Sequence, residues 1–146
     1  MKIQILPLVT GAQKATGLTV IIDVFRAFSL EAYMYASGAK KVIPVKTVED
    51  ALALKKENPS FILVGERKGI KVEGFDYGNS PSEFVGVDLS GKTLIHTTSA
   101  GVLGLASAVN ASQIVTGALV NAKATAKYIL EQNPAVVSIV PMGWEG

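Results

Sequence analysis

The chain alternates short apolar runs with polar clusters and with longer segments of helical spacing, in a regular order. In "TGLTVIIDVFRA" the run over residues 18–23 has almost no polar face, which marks a strand buried on both sides, and polar residues gather at its carboxyl end. "SLEAYMYASGA" then follows helical spacing, with Gly38 as its stop. "KKVIPV" predicts a short strand, and Thr47 with Asp50 three residues on forms a capping pair that opens the helix "VEDALALKKEN". "SFILVGER" predicts a third strand, whose apolar run stops at Gly65, Glu66 and Arg67 before a long irregular stretch. "GKTLIHTTSAGVLGLASAV" predicts a strand from Lys92 to Thr98, a turn of Thr, Ser and Gly, and a helix of small apolar residues. "SQIVTGAL", "NAKATAKYILEQ" and "AVVSIVPMGWEG" complete the order as strand, helix and strand.

This order predicts one α/β domain over residues 1–146. Its expected architecture is three-layer α/β/α, around a mainly parallel or mixed sheet, because crossover helices return the chain to the same edge. At 146 residues the chain buries a sizeable core without covalent staples, and at 49% hydrophobic and 18% charged it is richer in apolar residues than most soluble domains. The excess fits strands covered on both faces, and it also fits a homodimer. No apolar run is long enough to cross a bilayer, and the start "MKIQILPLV" has no small-residue cleavage pattern, so a cytoplasmic protein without a membrane partner is expected.

Composition also narrows the chemistry. With no cysteine and one histidine, His96, the chain excludes thiolate nucleophiles, disulfides, cysteine-bound metals and clusters of imidazoles. Any metal would be a hard ion held by oxygen. A formal charge of +2, without interleaved aromatic and basic residues, gives no footprint for nucleic acid and leaves small anions as the compatible ligands.

In open parallel sheets, ligands gather outside the carboxyl ends of the strands, and four polar clusters are expected there. They are Asp23 with Arg26, Glu66 with Arg67, Asp76 with Asn79, and Thr97 with Thr98 and Ser99. The "TTSAG" turn offers hydroxyls and amides to an anion, with Gly101 allowing close approach, or else simply caps the helix that follows. Asp23 and Arg26 read as a site or as an ion pair, and Glu66 and Arg67 as ligands of a cation and an anion or as partners of that pair. "GFDYGNSPSEF" concentrates turn-formers around Asp76 and Asn79, which either close local turns or reach a ligand. His96 lies inside an apolar strand and reads as a hydrogen-bonded core imidazole. Tyr33, Tyr35 and Trp144 read as core or interface.

Four segments together resemble the 2-phosphosulfolactate phosphatase family, enzymes of the coenzyme M pathway. They are "IIDVFRAFS", "GAKKVIPVKTVEDALAL", "VGERKGIKVEGFDYGNSPSEF" and "GKTLIHTTSAG", and they extend over nearly the whole chain. The resemblance implies an Mg2+-dependent phosphatase that removes phosphate from a three-carbon acid also bearing a carboxylate and a sulfonate. It makes Asp23, Glu66 and Asp76 the expected catalytic carboxylates and magnesium ligands. Arg26, Arg67, Asn79, Thr97, Thr98 and Ser99 become the expected substrate contacts, a set suited to a phosphoryl transition state stabilised by positioned positive charge.

Two departures accompany it. "TTSAGVLGL" carries Ala100, Val102 and Leu103 where the family continues through polar and basic residues, and Phe28, Ser29 and Leu30 replace a run of small hydroxylated residues. Members of the family also continue past the strand matching "VVSIVPMGWEG" into a second part. The rival expectations are therefore a non-catalytic short paralogue that binds a small anionic metabolite or a partner chain, and a purely structural domain. Convergence of Asp23, Arg26, Glu66 and Asp76 on one pocket separates the first two from the third.

Overall fold

The computed structural model describes residues 1–144. Among them eight strands and five α-helices follow one another as β1 (Lys2–Ile5), α1 (Leu8–Ala12), β2 (Gly17–Ile22), α2 (Ala27–Ala36), β3 (Lys41–Pro44), α3 (Val48–Glu57), β4 (Ile62–Arg67), β5 (Ile70–Lys71), β6 (Thr93–Thr97), α4 (Gly101–Ser107), β7 (Ala111–Gly117), α5 (Ala122–Gln132) and β8 (Val136–Pro141). The strands form two sheets. The first has the order β1-β8-β2-β7 and is wholly parallel, while the second has the order β3-β6-β4-β5 with only β5 antiparallel. The expected three-layer α/β architecture with mainly parallel strands is present, distributed over two sheets where one was expected.

Local signals account for the element ends. Thr47 Oγ1 accepts the Asp50 N–H at 3.0 Å, and its hydroxyl donates to Asp50 Oδ2 at 2.7 Å, so the cap of α3 is the one its spacing predicts. At the end of α2, Gly38 adopts φ +97°; its N–H bonds the Tyr35 carbonyl and that of Ala39 bonds the Met34 carbonyl, the paired bonds of a glycine-terminated helix. Lys68 and Gly69 both have positive φ, +53° and +79°, as the two central residues of a tight hairpin require, and they turn β4 back into β5. Neither β5 nor the pair β1 and α1 follows from the hydrophobic pattern, because β1 is an edge strand with Ile3 and Ile5 exposed.

Each sheet is covered on both faces. On the first, Leu18, Val20 and Val137 pack under Tyr128 and Ile129 of α5, and Ile21 and Val140 pack with Ala12 of α1 and Ala27 and Phe28 of α2. On the second, Leu63 and Ile95 meet Ala51 of α3, and Val64 and Leu94 meet Leu30 and Met34 of α2. Helix α2 thus contributes to the cores of both sheets, which explains Phe28 and Leu30, both fully buried. No helix of the described residues is long and apolar enough to cross a membrane.

Candidate functional site

The chain crosses from the first sheet to the second through α2 and back through α4, which brings the carboxyl ends of β2, β4 and β6 around one crevice. Its lining includes Asp23 and Arg26 after β2, Glu66 at the end of β4, Lys68 at the hairpin tip, Ser99 after β6, and Asn79 from the irregular loop. Phe25 and Trp144, 85% and 72% exposed, stand at its rim, and it holds about 420 Å3 of space open to solvent.

Asp23 sits on the floor. One carboxylate oxygen accepts the Ala27 N–H at 3.3 Å, and the Gly101 N–H bonds the same carboxylate. A methyl group on Gly101 would lie 2.7 Å from Asp23 Oδ2 and 2.9 Å from the Ala27 Cβ, so the glycine is what lets this carboxylate reach the α4 start. Burial pushes the Asp23 carboxyl above the usual carboxylate range; the two N–H groups offset part of that effect, and the charge of Glu66 adds to it.

Glu66 is also buried, and both its oxygens have partners. Oε1 accepts the Ser99 N–H at 2.7 Å, and Oε2 accepts the Gly69 N–H at 2.7 Å and the Ser99 hydroxyl at 3.2 Å. The Lys68 N–H donates to Ser99 Oγ at 3.2 Å. Glu66 therefore ties the hairpin to the loop after β6 and sets Lys68 at the crevice.

Three of the amides around the start of α4 are thereby taken. Ser99 donates to Glu66, Gly101 to Asp23, and Val102 to Thr98 Oγ1 at 3.2 Å. Thr98 is a helix cap, the plainer of its two readings, and the glycine admits a carboxylate of the chain itself. Thr97 is fully buried and bonded to Arg67. Neither threonine lines the crevice, whereas Ser99 does.

Arg67 and Asp76, both expected among the site residues, lie outside the residues that line this crevice. The Arg67 guanidinium turns away to the Glu66 carbonyl at 2.7 Å, the Lys46 carbonyl at 3.1 Å and Thr97 Oγ1 at 2.8 Å. Asp76 accepts the Leu63 N–H at 2.7 Å and lies 3.8 Å from the Lys55 ammonium, with its side chain 46% exposed. The reason is the edge of β4. The Tyr77 N–H bonds the Leu63 carbonyl, the Gly65 N–H bonds the Tyr77 carbonyl, and Asp76 supplies the acceptor that the next amide in line lacks. Phe75 and Phe84 anchor the loop in the core, and Glu83 accepts the Gly78 N–H at 2.9 Å.

Arg26 is half-buried, its guanidinium makes no hydrogen bond or ion pair among the described residues, and it lines the crevice together with Asp23. Lys68 is the cation that sequence reasoning missed, and the Lys-Gly pair at its positive-φ turn was the available signal. Asn79 is 7% exposed, and its Oδ1 lies 3.3 Å from Nε2 of the buried His96. Burial pushes the His96 imidazole down to about 4, so it is neutral at pH 7, as expected of a core histidine. Trp144, expected in core or interface, lies exposed at the crevice mouth. Tyr33 and Tyr35 are exposed on α2, outside the core.

Comparison with known proteins places this geometry in context. The family model for 2-phosphosulpholactate phosphatase matches residues 5–146. A protein of Carboxydothermus hydrogenoformans named "Probable 2-phosphosulfolactate phosphatase" is 46% identical over 124 residues, 85% of this chain and 51% of that protein. Proteins of the same name are 38% identical in Bacillus subtilis, over 84% of this chain and 55% of theirs, and 43% identical in Caldanaerobacter subterraneus, over 87% and 53%. The chain spans about half the length of the curated relatives it matches. The match extends across every strand and loop that lines the crevice, and the chain belongs to the 2-phosphosulpholactate phosphatase family.

Proposed function

We propose that this chain binds a small phosphorylated organic acid in the crevice and contributes to its hydrolysis, with 2-phosphosulfolactate as the substrate and sulfolactate and phosphate as products. The observation that carries the reading is the convergence of two carboxylates and two cations, Asp23, Glu66, Arg26 and Lys68, from different strands onto one crevice of a chain in this family. A purely structural domain has no need to gather them.

Arg26 is the fork for two oxygens of one such group, and the Lys68 ammonium, on a mobile four-carbon stem, serves as the point charge for a second. Asn79 adds an uncharged donor. Phe25 and Trp144 narrow the mouth and reduce water around the bound anion, where fixed charges act more strongly.

The crevice fits Mg2+ on the chemistry of its donors. Asp23 and Glu66 are hard oxygen ligands, and the carboxyl of Asp23 is raised by burial and by its neighbour's charge, a shortage of positive charge that a cation relieves. Among the described residues no group of three acidic or histidine side chains gathers to hold a metal, so Asp23 and Glu66 would have to hold the ion together with waters and substrate oxygens. When bound, the ion polarises the phosphoryl group and lowers the pKa of a coordinated water.

The test is phosphate release from 2-phosphosulfolactate and 2-phospholactate, with and without Mg2+, by the folded 146-residue chain. Magnesium-dependent release supports hydrolysis. Binding without release supports the second reading, an anion-binding module, which the complete hydrogen bonding of both Glu66 oxygens favours. Neither binding nor release overturns both.

A further inference from the structure

The hydrogen bond between His96 and Asn79 joins a core strand to the crevice wall. Asn79 is 7% exposed and His96 2%, so this bond is closed to water and the two groups must satisfy one another. The amide has two ends, and only one can face the imidazole. We infer that His96 is a positioning residue that donates Nε2–H to Asn79 Oδ1 and so turns the Asn79 NH2 group toward the crevice. This rests on the proposed anion site, and it gives that site a directional donor.

Two observations besides the distance support the orientation. The crevice that Asn79 lines is also lined by Asp23 and Glu66, whose carboxylates attract an NH2 group and repel a carbonyl oxygen. The backbone on either side is also held. Tyr77 is pinned to β4 by two main-chain bonds, and Gly78 is held by Glu83, so the side chain of Asn79 is the remaining degree of freedom. A neutral imidazole at this point fixes the amide without placing a further charge beside Arg26 and Lys68. His96 touches no crevice space itself and acts only through Asn79.

The chain has a single histidine, so one pair of imidazole nitrogens appears in a long-range 15N–1H correlation spectrum and no variant is needed to read it. The expected result at pH 7 is a proton on Nε2 with Nδ1 bare. A proton on Nδ1 would make Nε2 the acceptor, turn the Asn79 carbonyl toward the crevice and overturn the inference.

Kinetics supply the second readout. H96L should raise KM for 2-phosphosulfolactate, or Kd for inorganic phosphate, about tenfold with kcat changed less than about threefold. H96Q, whose amide can donate to the same oxygen, should recover most of that affinity. An unchanged KM in a folded H96L chain, or no loss of affinity in N79A, would sink the positioning role. If the wild-type chain neither binds phosphate nor releases it, the functional reading falls, while the imidazole spectrum still decides the orientation of Asn79.

Discussion

Asp23 and Asp76 are the same residue type in adjoining parts of one fold, and they end in opposite circumstances. Asp23 is buried at the crevice floor, beside a second carboxylate, with its carboxyl pushed upward. Asp76 is half-exposed, beside a lysine, and completes the hydrogen bonding of β4. The arginines divide in the same way: Arg26 faces the crevice without a partner among the described residues, while Arg67 is spent on three acceptors of the chain. A polar side chain with its partners already supplied by the fold holds the scaffold, and one left short of partners is available to a ligand.

The largest test of that division is Asp23→Asn. We expect turnover to fall on the order of 10²–10³-fold while Tm stays level or rises by roughly 2–4 °C, since the change removes a desolvated charge and its repulsion with Glu66. Loss of stability together with activity would move Asp23 to the scaffold side.

The next effect is one of pH, at the seam between the two regions. His96 is held at about 4 in the folded chain against 6.5 when unfolded. Between these values the unfolded chain binds a proton that the folded chain excludes, so stability is present above pH 6.5 and is lost as pH falls toward 4, by roughly 3 kcal/mol. The unfolding free energies from urea titrations of wild type and H96Q should diverge by that amount in total across this window; parallel pH dependences would show that His96 is not dry.

Arginine exchanges should split cleanly. Arg26→Lys should weaken phosphate binding about tenfold with little change in Tm, because an ammonium lacks the fork. Arg67→Lys should leave binding alone and cost roughly 1 kcal/mol of stability, as bonds to Lys46, Thr97 and Glu66 are lost. Calorimetric titration with inorganic phosphate, paired with thermal melts, checks both, and equal affinity losses would erase the contrast. The smallest effect is Asp76→Ala, about 1 kcal/mol less stable with turnover within about twofold. A dead but stable D76A chain would return Asp76 to the site.

Much of the fold and part of the site were legible in advance. Strand β2, helix α3 with its Thr47 cap, and the glycine stop of α2 follow from periodicity and from contacts a few residues apart. So does the gathering of charge at the ends of β2 and β4. The tip of the hairpin was missed because Lys68 reads as an ordinary charged residue until its positive φ places it beside Ser99. The fate of the "TTSAG" amides was missed for a different reason. Their acceptors, Asp23 and Glu66, come from other strands, and no local spacing announces that a helix start will be capped from a distance.

The amino-acid sequence by itself determined the α/β class, the order of the elements other than β1, α1 and β5, the absence of thiol chemistry and which polar residues stand at strand ends, because these depend on composition, periodicity and neighbours within a turn. Only the tertiary structure decided that the strands divide into two sheets, that Asp23 and Glu66 meet while Asp76 and Arg67 turn away, and that His96 reaches Asn79. The physical reason is that every buried amide and carboxylate must find a partner. Which partner it finds is set by chain segments far apart in sequence, so the groups left over for a ligand are known only once the rest have been paired.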